Sequence, residues 1–528
     1  MIPAARFNGR TSRLPAFIQT LLFIFMLSCL GAASAFAQCT LNSTPTTCSL
    51  TGVTLNSGDT FAATNAIVTV TGPVTNNGLV NLNGGGGVNV FLELSGNTTL
   101  NGSGTVSLNN APGAGEPFVI QGVGGLTLTN AGNTIQGSGN IGDGGIAVAN
   151  QSTINANSAG QTLLFNGGGI TNFGGGQAGL LEATNGGILN ISGITVNNSN
   201  GTLQGTITAS GFGLVGSSTT VPSTVTLSNA VIQGGTLTTT GVGVMQSAGT
   251  TRLDGSTTAG AITLSSGSTY TTSNAITQIS GSIINNGTFA LNGGGGVNAF
   301  LELTGNTTLT GGGTIQLNNA PGSGEPFILQ ASGGLTLTNV NNTIQGSGNI
   351  GDGGITLVNE KTVDANVSGQ TLLLNNGGGV TNTGTLEATN GGILQLSSIT
   401  VTNAGGTILV SGSGSTVTLA STTVLGGTLT TTGGGVMQTT GTTVLDGSTV
   451  ANGAITLSTG STYTTGNADT EIKGSIINNG TFVLNGGGAN SFLELTGNTT
   501  LTGGGTIQLN NAPGSGEPFR LSYRPAAG

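Results

Sequence analysis

The chain is 528 residues long, with Gly at 100 positions and charged residues at only 5%, where an ordinary soluble domain has ~7% Gly and ~25% charge. It has no His and no Trp, which excludes a Ser-His-Asp or Cys-His triad and any His-ligated zinc or haem, and eight Lys and Arg in total leave no footprint for nucleic acid. Glycine without a strict triplet excludes collagen, and 35% hydrophobic residues with so little charge do not describe a disordered chain.

The N-terminus reads as an address. Arg6, Arg10 and Arg13 precede an apolar run from Ala16 to Leu30, and the small residues end at Ala35-Phe36-Ala37. This is the layout of a secretory signal peptide over 1–37, with cleavage expected before Gln38. Cys29 leaves with it. The remaining chain holds 17 acidic residues, five basic ones, and Cys39 and Cys48 beside the new N-terminus. In an oxidising compartment these two cysteines are expected to form a disulfide. That disulfide would clip an N-terminal cap over 38–75.

Internal repetition dominates the rest of the chain. "FLELSGNTTL" begins at Phe91 and returns as "FLELTGNTTL" at Phe300 and Phe492, while "NTIQGSGNIGDGGI" begins at both Asn133 and Asn342. With "NNG" as origin, the units are 76–284, 285–477 and a partial third, 478–519. The second unit has four fewer residues near Gln177 and thirteen fewer near Ser210, both in Gly/Ser-rich stretches where loop changes are tolerated. The last nine residues, 520–528, follow no repeat.

Inside each unit runs a shorter beat. A Thr followed by an apolar residue recurs at Val363, Leu386, Ile408 and Leu429, with steps of 23, 22 and 21 residues. Each token opens a short alternating run closed by Gly or Asn, the signature of a strand between tight corners. Strands returning at this interval leave no room for a crossover helix. The expected fold is therefore all-β, a right-handed parallel β-helix (solenoid) of about 20–23-residue rungs. About 23 rungs would make a rod on the order of 110 Å long. The 29-residue step from Ile315 to Ile344 exceeds one rung, and "NNAPGSGEPF" supplies the excess. Because Pro cannot donate to a ladder, this element is expected to be an outward contact loop. It contains Pro321, Glu325 and Pro326, matched by Pro112, Glu116 and Pro117 and by Pro513, Glu517 and Pro518. "GGGGVNAF" before Phe300 is a second stretch that breaks the beat.

The carboxylates do not assemble a catalytic set in the sequence. Twelve of the 17 recur between units: Glu93/Glu302/Glu494, Glu116/Glu325/Glu517, Asp143/Asp352, Glu182/Glu387 and Asp254/Asp446. An active site needs paired acids at one place. The unrepeated acids are Asp59, Glu360, Asp364, Asp469 and Glu471, of which Glu360 and Asp364 with Lys361 form the densest charged spot. Asp143 and Asp352 in "GNIGDGG" suit a hard cation, but no tandem calcium nonapeptide recurs. No catalytic, cofactor or metal residue is assigned, and no cofactor is expected.

"GSIINNGTF", "NTGTLEATNGGIL" and "GGTLTTTGGGVMQ" behind a signal peptide resemble the β-helical passenger regions of Gram-negative autotransporters and filamentous-haemagglutinin-like adhesins. The likeness covers about residues 50–519. It implies a rod on the outer surface of a Gram-negative-type bacterium, or secreted from it. Such a rod would contact a host or neighbouring cell, glycans or copies of itself. An autotransporter also carries a membrane β-barrel. The tail "RLSYRPAAG", with Arg520 and Arg524, stands where "ILQASGG" follows in the second unit, and it is expected to mark a truncated product whose barrel or export partner lies elsewhere. The expected function is structural and non-enzymatic. The alternative is a carbohydrate-active β-helix of the pectin lyase or polygalacturonase type.

Overall fold

The structure is a computed structural model. It describes 47–523 apart from 111–114, 143–144, 321–323, 352–353, 450, 452 and 512–515, and the backbone alone for 37–40 and 519–523. Residues 1–36 of the expected 1–37 signal peptide, and the tail from 524, lie outside the described residues.

Alternation decides the architecture. In strand after strand, of which Ile188–Ser192 and Thr416–Ala420 are examples, residues alternate between half-exposed and buried. Thr, Asn and Ser point out while Ile, Leu and Val point in. A strand with one apolar face must cover it, and here the cover is the opposite side of the same coil. Every turn contributes three short strands, and each pairs in parallel with its counterpart one turn on. Three faces therefore run along the molecule. The result is an all-β parallel β-helix of about 19 turns with roughly 24-residue rungs, or about 90 Å at the spacing of paired strands.

The beat read from the sequence is one column of the core. Ile315, Ile344, Val363, Leu386, Ile408 and Leu429 pair in that order, one per turn, and each is at most 1% exposed. Each such side chain contributes about 1.5–3 kcal/mol on burial. The turns are fewer and longer than expected because the corners are unequal. One turn takes 19 residues from Ile135 to Ile154, and another takes 30 from Ile207 to Leu237. The extra length sits in projections that carry no core residue. The first unit has a small hairpin of Phe173–Gly174 with Gln177–Ala178, a bridged turn from Ser199 to Gln204, and a hairpin of Phe212–Val215 with Thr219–Pro222. The last two share the thirteen residues missing from the second unit.

A second column is polar. Asn76 donates from its side-chain amide to Asn133 Oδ1, and the Asn133 backbone N–H donates to Asn130 Oδ1. From Asn130 the amides pass to Asn150, Asn172 and Asn198 at 2.8–2.9 Å. The second unit repeats the series as Asn285, Asn342, Asn339, Asn359, Asn382 and Asn403. All twelve residues are 0% exposed. Such burial is tolerable because Asn130, Asn150, Asn172, Asn359 and Asn382 each bond both the next amide and a backbone carbonyl of the corner they fill, and only the Nδ2 of Asn198 and Asn403, where each series ends, is left without a bond.

A strand that bends around a corner without a break leads into each unit, Ile67–Asn76, Ile276–Asn285 and Asp469–Asn478. The register slips at the bend, between Ile279 and Gly281 in the second of them. Gly281 has φ +72, and a Cβ there would lie 2.4 Å from the Gly255 carbonyl carbon, so only glycine makes this bend. These bent strands fix the phase of the repeat. Eight pairings lead from the second half of Ile67–Asn76 to the first half of Ile276–Asn285. Eight more lead from its second half to the first half of Asp469–Asn478. The two halves of a bent strand lie on adjacent faces, so each unit spans eight turns and a third.

Candidate functional site

The element that recurs most fully on the surface is a two-storey ridge at the start of each unit. Its lower storey is the glycine-rich turn that broke the sequence beat. Gly85 and Val88 exchange backbone bonds of 3.2 Å, and Gly294 and Val297 exchange bonds of 3.1 Å. Its upper storey, one turn on, is the end of the "NNAPGxGEPF" element. The Asn89 side-chain oxygen accepts the Glu116 N–H at 2.9 Å, and Glu116 O accepts the Val90 N–H at 3.1 Å. Asn298 with Glu325 and Asn490 with Glu517 repeat both bonds at the same distances. Glu116, Glu325 and Glu517 are exposed, and Val88 and Val297 project at 39% and 48% exposure.

The expected loop needs one correction. Pro117, Pro326 and Pro518 are not in a loop: each is the first residue of a strand and pairs in register, with Val90, Ala299 and Ser491. Pro is admissible there because a first strand residue can forgo its N–H bond. Pro112, Pro321 and Pro513 lie outside the described residues, as do Asp143 and Asp352. Beyond the proline, Phe91 stacks on Phe118 and Phe300 on Phe327, outward and half-buried, with ring centroids 5.5 Å apart in both pairs.

The third-turn phase sets where the ridges stand. The strands that lead into them, Leu79–Gly84, Thr288–Gly293 and Thr481–Gly486, lie on three different faces. Successive ridges therefore occupy successive corners, about 40 Å apart along the axis.

Two groups of carboxylates are shifted by their surroundings. Asp254 and Asp446 are internal ties. Arg252 pairs with Asp254 at 2.9 Å, and the Ser280 hydroxyl donates to the same carboxylate at 2.9 Å. In the second unit Val444 replaces Arg252, and Lys473 in place of Ser280 reaches Asp446 at 3.1 Å. Burial pushes both carboxyls up, but hydrogen bonds from Ser256 or Ser448 and the nearby cation outweigh it, so both lie below the usual aspartate range.

The other group is raised. Asp364 does not gather with Glu360 and Lys361, which are exposed at the preceding corner. It sits on an outward strand position beside Glu387 of the next turn. Burial pushes its carboxyl up, partly offset by the Thr389 hydroxyl, which donates to both oxygens at 2.9 and 3.0 Å. Glu387 is raised by burial and then by the Asp364 charge. In the first unit Asn155 stands beside Glu182, so this pair is not repeated there; among the described residues the other register-adjacent acids are Glu471 and Glu494. Its signal was in the sequence: 364 and 387 are 23 residues apart, the step of the beat itself. A shallow hollow of about 270 Å³ is lined by Asn292, Gly293, Leu317, Asn318, Ser347 and Gln370 among others, and another of about 240 Å³ by Thr127, Ala149, Gly168, Thr171 and Asn197 among others. Neither has an acidic residue in its lining. No three acidic or cysteine side chains gather around a metal position among the described residues.

Cys48 lies at the first turn of the core, its strand paired with Ile67–Thr69. The Cys39 side chain lies outside the described residues. No protein-family model matches the chain, and no curated protein matches it at a significant level.

Proposed function

We propose that the protein is a structural rod displayed outside the cell, making adhesive contacts with glycans or neighbouring surfaces through its repeated ridges. The observation that carries this reading is the ridge itself: the same Asn-to-Glu bond at three corners, over the same bridged glycine turn at the first two. Recurrence suits polyvalent contact, where several weak engagements add as effective concentration. A secretory leader and a Cys39–Cys48 clip at the N-terminal end belong to the same proposal.

The test uses the purified chain on glycan-coated surfaces and on cells. Replacing Asn89, Asn298 and Asn490 by Ala loosens all three ridges, each replacement removing a bond of about 1 kcal/mol. Retention is expected to fall more in the triple variant than the single variants add up to, while the far-ultraviolet spectrum stays unchanged. Equal retention by wild type and triple variant would refute the ridges as the contact.

One observation favours a second reading, a carbohydrate-active enzyme. Asp364 and Glu387 are adjacent, raised carboxyls occurring once, as an acid–base pair would be. Cleavage of an acidic polysaccharide that is lost in both Asp364→Asn and Glu387→Gln would establish it.

A further inference from the structure

The hairpin Phe212–Val215 with Thr219–Pro222 belongs to the first unit alone. The second unit crosses the same corner with Gly412-Ser413-Gly414. Its register places Phe212 opposite Pro222, Gly213 opposite Val221, Leu214 opposite Thr220 and Val215 opposite Thr219. Alternation then sorts the side chains by face. Gly213 is buried so closely on the rod that a Cβ would come within 1.9 Å of Asn185 O, and a Val221 methyl lies against Gly186. The hairpin therefore lies flat on the rod, and its other face carries Phe212, Leu214, Thr220 and Pro222, all exposed.

That outer face is apolar. Phe212 and Leu214 are each 55% exposed on it, while Val215, on the inner side, rests a methyl against Gly160. On the next turn Val242 is 57% exposed, beside the hairpin base where Gly241 approaches Gly211. The second unit has Gly434 in its place. Apolar residues scattered singly need no explanation, but a contiguous patch marks a contact.

Charge selects the partner. No acidic or basic residue occurs between Glu182 and Arg252, in a chain of net charge −9. Two like-charged rods meet least repulsion where the contacting segment itself carries no charge and charges beyond it are screened over ~8 Å at physiological salt. We propose that the hairpin is a homophilic contact: two copies dock through it about a two-fold axis, Phe212 and Leu214 of one against the same residues of the other. A self-facing patch closes at the dimer. A single hairpin face falls short of the ~1,200 Å² that a standard interface buries, so the pair forms weakly and with concentration. This contact does not depend on the display reading, since a rod that cleaved polysaccharide would carry the same hairpin.

The experiment is sedimentation velocity on the purified chain over a wide concentration range. Wild type is expected to shift from monomer toward dimer as concentration rises. Phe212→Ser with Leu214→Ser is expected to weaken the dimer by about tenfold or more. Replacing 211–222 by Gly-Ser-Gly, the second unit's own crossing, is expected to abolish it with unchanged thermal melting, and Val123→Ser at a distant exposed valine to leave it intact. A wild type that stays monomeric throughout, a loop-replaced variant that dimerises like wild type, or assembly beyond the dimer would each overturn the proposal.

Discussion

Asp254 and Asp446 hold equivalent places and draw their cations from different turns, Arg252 on the same strand and Lys473 on the next. In the sequence these look like two unrelated losses, Arg252 to Val444 and Ser280 to Lys473. Residues 252 and 280 are 28 positions apart, yet Ser280 pairs in register with Asp254 and its hydroxyl accepts from Arg252 at 3.4 Å, and only the turn length makes them one exchange. Asp364 and Glu387 show the opposite electrostatic sense. Their carboxyls are raised by burial, so the fold binds their protons more tightly than the unfolded chain does. Their contribution is favourable at low pH and is lost as pH rises through and above the ordinary values of 3.8 and 4.5. Asp364→Asn, which copies Asn155, is expected to stabilise the rod by about 1 kcal/mol at neutral pH. That gain is expected to shrink as pH falls toward 3.8. Thermal melts of both proteins across this range test the sign. The lowered Asp254 and Asp446 act in the other direction, their stabilisation present above 3.8 and lost below it.

Among the elements, the apolar column was readable from spacing because core side chains must stack once per turn, and Val363, Leu386, Ile408 and Leu429 do. The asparagine column was not. Asn is common throughout the chain, and a buried Asn differs from a surface one only by its place in the corner. The prolines misled for a related reason: Pro117 and Pro326 forgo a ladder bond, yet a strand's first position does not require one. The asparagine column predicts a graded cost. Asn382 accepts from Asn359 at 2.8 Å and donates to Asn403 at 2.7 Å. Asn382→Ala strands both neighbours in a dry interior and is expected to cost about 2–4 kcal/mol in urea unfolding. Asn382→Asp is expected to cost more, because it removes the donor and buries a charge.

At the scale of the whole rod, the fold class was legible in the sequence but the turns were overcounted, since hairpins and ridges lengthen rungs without adding any. It also conceals the third-turn phase, which depends on how many residues each corner consumes. The two full units differ in length but span the same number of turns, because the residues they differ by lie in projections. This makes a unit removable. Deleting 285–477 joins Ile284 to Asn478 and regenerates "GSIINNGTF", with each remaining face meeting the partner it would have met. Solenoid stability is a sum of local and nearest-neighbour terms. The shortened chain is therefore expected to fold with little change in melting temperature and to lose about 40 Å of length. Small-angle scattering reads that length directly.

The bent strands that lead into each unit have one more effect. A repeat of whole turns would line its ridges up along one side, like teeth on a comb, and a rod held by one end would work only when that side faced its target. Advancing by a third of a turn gives the shaft no back. On the display reading, an attached rod would turn one ridge in every three outward at any azimuth, and contact would require no rotation about the axis.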